Sequence, residues 1–252
     1  MKVVFHERFF EEYAYDPAAD KGRLDVAYNL LKNKYEIINP KPCTDNDLLL
    51  VHKPQHINKV KDDMQIYEVG SLAVGAAICA SEYAIKSEMA FALCRPPGHH
   101  ASPNVHWGFC YFNNIAIAVQ KLLKSNHIKK AIIIDFDLHF GDGTYRQFID
   151  SNEVDYYFIL GREPEEFIKN LEDYLKDKTC DLLAVSAGFD RHEYDWGSML
   201  PTSTYKLLGQ ILGNFAKQQC EGRLFAVLEG GYTPTPLGES ILAFLEGLED
   251  LV

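Results

Sequence analysis

Short runs of Val, Ile, Leu and Phe recur along the chain, separated by longer segments in which apolar residues return every three or four positions. The first pattern suits strands buried on both faces, and the second suits helices with one apolar side. Strands are predicted at Lys2 to Phe5, Tyr35 to Ile38, Met89 to Leu93, Ala131 to Asp135, Asp155 to Ile159, Leu182 to Val185 and Leu224 to Leu228. Helices are predicted at Arg23 to Leu31, Ser71 to Lys86 with Ser71 as N-cap, Asn113 to Lys124, Glu165 to Leu175, Ser203 to Lys217 and Leu237 to Leu248. A further helix is expected to open at Thr144, with Gln147 completing a capping box. Strands alternating with helices imply crossover connections, so the expected fold is α/β: a three-layer α/β/α unit with a mostly parallel central sheet. At 252 residues the chain fits a single domain spanning 1–252.

Composition narrows the function. The chain is 47% hydrophobic and 24% charged, far from the polar mix of a disordered protein. Lys and Arg total 25 against 36 Asp and Glu, a net charge of −11, which offers no basic field for nucleic acid or an anionic membrane. Neither is expected as a partner. Six scattered cysteines without a C-x-x-C pair fit reduced thiols and a cytoplasmic location. The opening MKVVFHERFF lacks the apolar run of a signal peptide, and no stretch approaches 18 uninterrupted apolar residues.

Four of the apolar runs end abruptly in polar and glycine clusters: FALC leads into RPPGHH, AIII into DFDLHFGDG, LLAV into SAGFDRH and FAVL into EGGY. In an open α/β sheet the carboxyl ends of the strands line one crevice, so these clusters are expected to converge. Asp137, His139 and Asp190 make a donor set suited to a divalent metal such as zinc, which in catalytic sites keeps about three protein ligands and an open position. Asp137 and His139 alternate in an extended segment, which points both the same way. His99 and His100 follow a stiff Pro-Pro-Gly turn and suit proton transfer near neutral pH, with Asp135 and Asp142 placed to orient them. Tyr232, after two glycines, is a candidate donor to a developing oxyanion. Each motif also has an ordinary reading: a polar loop, a solvated histidine pair, a tyrosine packed on the sheet rim. Their joint occurrence at four strand ends favours a single site.

The strings RPPGHHA, GFCYFNN, IIDFDLHFGDGT, SAGFDRH and LEGGY resemble, in content and order, the motifs of the zinc-dependent histone deacetylases and acetylpolyamine amidohydrolases of the arginase/deacetylase fold, closest to the class II and bacterial branches. The likeness runs from about Leu48 to Leu245. It implies that Asp137, His139 and Asp190 hold one zinc, that His100 is general base and then acid with His99 as its electrostatic partner, that Asp135 bonds to His99 and Asp142 to His100, and that Tyr232 polarises the amide carbonyl. Gly108 and Phe109 resemble the wall of the family's acyl-lysine tunnel, with Cys110 beside them. A potassium ion behind the loop of Asp135, Asp137 and His139 is also implied. The implied reaction removes an acetyl or other acyl group from an amine such as an acyl-lysine, an acylpolyamine or a small metabolite.

The chain departs from that family in two places. Roughly 50 residues separate His139 from Asp190, where the family carries a longer stretch, so one tunnel wall is missing and a shallower, more open site is expected. At the N-terminus YAYDPAADKGRL leaves only Arg23 and Leu24 as matches, and Tyr13 and Tyr15 are candidates to flank the entrance. Asp62 and Asp63 are weak candidates for a rim carboxylate. His52 and His56, His192 and Asp195, and Glu229 read as structural groups. Two other functions compete: a binuclear manganese ureohydrolase, which wants further carboxylates where Arg191 and His192 stand, and a metal-holding module that binds acylated ligands without turning them over. The oligomeric state is not legible.

Overall fold

The computed structural model describes residues 1–250. Its strands and helices run in the order β1 (Lys2–Val4), α1 (Asp25–Leu31), β2 (Glu36–Ile38), α2 (Asp45–Leu48), α3 (Pro54–Lys61), α4 (Met64–Ala84), β3 (Ala90–Ala92), α5 (Asn114–Lys124), β4 (Ala131–Asp135), α6 (Asp142–Phe148), β5 (Val154–Phe158), α7 (Pro164–Leu175), β6 (Leu182–Ala187), α8 (Thr202–Cys220), β7 (Leu224–Leu228) and α9 (Pro234–Glu249). All seven strands are parallel, in the order β2-β1-β3-β7-β6-β4-β5. Helices cover both faces: α4 and α5 pack on one, with α2, α3 and α6 around them, and α1, α9, α8 and α7 form the other layer. The three-layer α/β/α expectation holds.

The order of the strands decides where the chemistry falls. The four runs that end in polar clusters are β3, β7, β6 and β4, which stand side by side in the middle of the sheet. Their register aligns Ala92 with Val227, Val227 with Ser186 and Ser186 with Asp135, so the four chain segments leave the sheet at one level. Strands β3, β4, β6 and β7 are buried throughout, which explains their unbroken apolar sequences.

Several helix starts differ from expectation, each for a local reason. Helix α4 begins at Met64, where the Asp63 carboxylate accepts the N–H groups of Gln65 and Ile66. Ser71 lies inside it and satisfies its hydroxyl on the Tyr67 carbonyl one turn back. Asp63 is therefore a helix cap, and neither it nor Asp62 lines the pocket at the strand ends. Helix α6 begins at Asp142 after Gly141, two residues before the expected capping box, and the Thr144 hydroxyl instead meets the Asn113 amide at 3.1 Å. The short α2 carries a true capping box, Thr44 with Asp47, and Pro54 opens α3 at a position that needs no N–H. At 21 residues α4 is long and apolar enough to cross a membrane by length and composition, but most of it is buried against α5, β1, β3 and β7.

Helices α8 and α9 cross closely, and Gly209 sets the distance: a Cβ there would lie 2.2 Å from the Phe244 carbonyl oxygen. In an uncrowded helix Gly→Ala stabilises by roughly 0.5–1 kcal/mol. Here Gly209→Ala is expected to reverse that sign and destabilise by about 1–3 kcal/mol through overpacking. Urea unfolding checks it; a midpoint equal to or above the parent's would contradict the crossing.

Candidate active site

The segment after β3 is held from behind. Arg95 is buried and donates to the carbonyls of Glu11, Ala18 and Asp20, with the Tyr13 ring 5.5 Å from its guanidinium. Tyr13 is thus a buried partner of Arg95 and does not flank the entrance, and Tyr15 does not line the pocket. The backbone N–H groups of Gly98 and His99 donate to Glu229 Oε2 at 2.6 and 3.1 Å, which ties the end of β3 to that of β7. Glu229 therefore holds the turn, as the sequence reading had it. Burial pushes its carboxyl up to about 7.

Both expected histidine–carboxylate pairs form. His99 Nδ1 meets Asp135 Oδ2 at 3.0 Å, and His100 Nδ1 meets Asp142 Oδ1 at 2.9 Å. Burial works against charge on His99, but the carboxylates of Asp137 and Asp135 outweigh it and raise its proton affinity well above the ordinary histidine value. Burial and the neighbouring His99 push His100 down to about 4. The proton affinities of the adjacent imidazoles are driven in opposite directions, a pattern that suits distinct acid and base roles.

Asp137, His139 and Asp190 converge, each offering a donor atom within 4.8 Å of the others. The route to this differs from the extended segment expected: Asp137 Oδ1 accepts the His139 N–H at 2.9 Å, so the chain turns here. Asp137 Oδ2 accepts from Gly230 N–H and Asp190 Oδ1 from Leu138 N–H. His139 Nδ1 lies 3.5 Å from Asp137 Oδ1 and 3.2 Å from Asp190 Oδ2, close to both carboxylates without hydrogen-bond geometry, and their proximity raises it to about 9. Burial and the Asp137 charge push Asp190 up to about 6. Asp190 Oδ2 is buried with no hydrogen-bond partner. A second group, His99, Cys110 and Glu229, is also close, but Glu229 is committed to backbone N–H groups and burial pushes the Cys110 thiol well up.

The pocket over this cluster has a volume of about 140 Å3, and Gly108, Phe109 and Tyr232 line it together with His99, His100, Asp137 and His139. Gly108 has φ +59°, and a Cβ would come within 2.5 Å of the His100 ring. Three residues of the site were missed by sequence reading. Tyr156 on β5 donates to Asp135 Oδ2 at 2.8 Å and accepts from Gly141 N–H. Trp107 packs against His100, ring centroids 3.9 Å apart and tilted by 33°, and donates to Asp142 Oδ1 at 2.9 Å. Trp196 stacks on Tyr232 at 3.9 Å and stands 6.4 Å from the Phe109 ring, across the pocket. The missing-wall expectation is thereby corrected: a second wall exists, carried by the loop after β6. The site is still shallow, with the His139 side chain 42% exposed.

His52 and His56 do not form a metal pair. His52 lies outside α3; its Nδ1 donates to the Ser102 carbonyl at 3.0 Å and its Nε2 accepts the Asn113 N–H at 2.9 Å. It clasps both ends of the loop that carries Trp107, Gly108 and Phe109.

A carboxylate–imidazole cluster, two carboxylate-backed histidines and a facing tyrosine at the strand ends of a parallel sheet define a site of the amidohydrolase class. The comparisons agree: the histone deacetylase domain model matches residues 18–167 and 161–248, and the chain belongs to that family. The match reaches further toward the N-terminus than the motifs alone and includes Arg23. The chain is 29% identical to a "Probable deacetylase" of Methanothermobacter thermautotrophicus, over 84% of this chain and 78% of that protein. It is 27% identical to a "Histone deacetylase-like amidohydrolase" of Pseudomonas aeruginosa, over 90% and 74%. The "Polyamine deacetylase HDAC10" of Danio rerio is 26% identical, over 92% and 45%. The crystal structure of the HDA15 HD domain superposes with a TM-score of 0.86 at 23% identity, covering 98% of this chain and 88% of that one, which shows the shared fold.

Because burial pushes His52 down to about 3, the folded chain resists protonation there while the unfolded chain accepts a proton near pH 6.5. Stability from this residue is present above pH 6.5 and lost as pH falls below it, by about 1.4 kcal/mol per pH unit. Between pH 6.5 and 5, His52→Asn is expected to lose about 2 kcal/mol less unfolding free energy than the parent. Denaturation curves with equal losses would refute the clasp.

Proposed function

We propose that this protein is a zinc-dependent deacetylase that hydrolyses an acylated amine to a carboxylate and a free amine. The observation that carries the reading is the set of two differently tuned histidines and a tyrosine around one pocket, above a three-residue donor cluster. The cluster fits zinc on its own evidence: two buried carboxylates and one imidazole match its preferred donors, and the orphaned Asp190 Oδ2 lacks the partner a cation would be. When bound, zinc supplies acidification of water at neutral pH and polarisation of a carbonyl.

The chain's own residues then divide the work. His100, held through Nδ1 by Asp142 and neutral at pH 7, takes a proton from the attacking water and returns one to the leaving nitrogen. His99, with its raised proton affinity, supplies positive charge beside it. Burial keeps the Tyr232 hydroxyl protonated, and it donates to the oxyanion that develops on the acyl carbon. Because a cavity of about 150 Å3 holds a benzene-sized body, the pocket suits a short acyl amide and the first carbons of its amine chain. A lysine side chain or a polyamine offers such a chain, in keeping with what the Danio rerio relative is named for. With a single such donor cluster left free among the described residues, the mononuclear reading is preferred to the binuclear one.

Tyr232→Phe is expected to lower kcat on acetylated amines by roughly 10²–10³, the cost of one oxyanion donor, with zinc content unchanged. A variant that retains turnover within about threefold would overturn the assignment of Tyr232. Ligand affinity without turnover in the parent would favour the binding module instead.

A further inference from the structure

The hydroxyl of Tyr232 can serve a reaction only if its ring is held still, and the structure holds it with a loop from a different strand. Asp195 Oδ2 accepts the backbone N–H groups of both Tyr232 and Thr233, each at 2.8 Å. Arg23, fully buried, donates to the carbonyls of Gly231 and Glu229 and lies 5.2 Å from the Tyr232 ring. From the solvent side the Trp196 indole covers the same ring at 3.9 Å and 24°. The loop that presents Trp196 is itself anchored to the donor cluster, because Gly197 N–H donates to the Asp190 carbonyl at 2.7 Å.

We propose that Trp196 is a positioning residue for Tyr232: its indole presses the phenol against the Arg23 side and fixes where the hydroxyl stands over the pocket. The inference rests on the hydrolase reading above. Stacking of this kind contributes beyond simple burial, and small misplacements of a catalytic group are costly. Trp196 is 50% exposed, so its removal leaves the core intact.

The test is a double-mutant cycle on zinc-loaded protein with an acetylated linear amine, reading kcat and KM separately for the parent, Trp196→Ala, Trp196→Phe, Tyr232→Phe and Trp196→Ala/Tyr232→Phe. Trp196→Ala is expected to lower kcat about tenfold, and Trp196→Phe, which keeps a stacking ring, to restore it to within roughly threefold of the parent. In the Tyr232→Phe background, where no hydroxyl remains to position, Trp196→Ala is expected to cost no more than about twofold. An equal loss of kcat in both backgrounds, or no loss on an active parent, overturns the proposal and leaves the hydrolase reading standing. A parent that binds zinc yet turns over no acyl amine overturns the hydrolase reading, and this proposal with it.

Discussion

Four carboxylates lie almost wholly out of water at the ends of three adjacent strands, β4, β6 and β7, and the rest of the site is arranged around keeping them there. Burying a carboxylate without partners costs several kcal/mol. Asp135 is met by Tyr156, His99 and its own loop's N–H; Asp137 by the N–H groups of His139 and Gly230; Asp190 by that of Leu138; Glu229 by those of Gly98 and His99. Half of these donors are backbone groups from a different strand end, so the same bonds that satisfy the charges also lock the four loops to one another. The buried oxygen left over is Asp190 Oδ2, within the donor cluster itself.

The sheet order makes this possible. Because β3, β7, β6 and β4 are consecutive and in register, short loops suffice to bring distant sequence segments within hydrogen-bonding distance. Buried cations and a histidine then fix those loops from outside: Arg23 behind Gly231, Arg95 behind the N-terminal segment, His52 across the ends of the Trp107 loop. The electrostatic contrast between His99 and His100 follows from their different neighbours, and the proposed reaction draws on it, one imidazole carrying charge while the other serves as base.

Much of this was legible in the sequence because the signal is local. A buried strand reads as an apolar run, and polar residues directly after it have nowhere to go but the strand-end crevice; hence Asp137, His139, Asp190, His99, His100 and Tyr232 were found, with the Asp135 and Asp142 pairings implied by the family likeness. What escaped depends on which segment lies opposite which. Tyr156 sits in an apolar run and looks like a core residue until β5 is placed beside β4. Trp107 and Trp196 gain their roles only when the loops after β3 and β6 meet His100 and Tyr232. The same limit explains the wall: its loss was read from the short spacing after His139, while its replacement came from a loop whose position no spacing reveals. Ser71 and Thr144 misled because each has a cap-forming hydroxyl that tertiary partners, or the helix's own carbonyls, had already engaged.

The central claim is that Asp137, His139 and Asp190 together hold one catalytic zinc ion. Elemental analysis of protein stripped and then reloaded with zinc, beside Asp190→Ala treated identically, tests it most directly. The account predicts one zinc per chain in the parent and a large loss in the variant, with the variant still folded by circular dichroism. Two metals per chain, none, or an Asp190→Ala protein that keeps its full complement would contradict it.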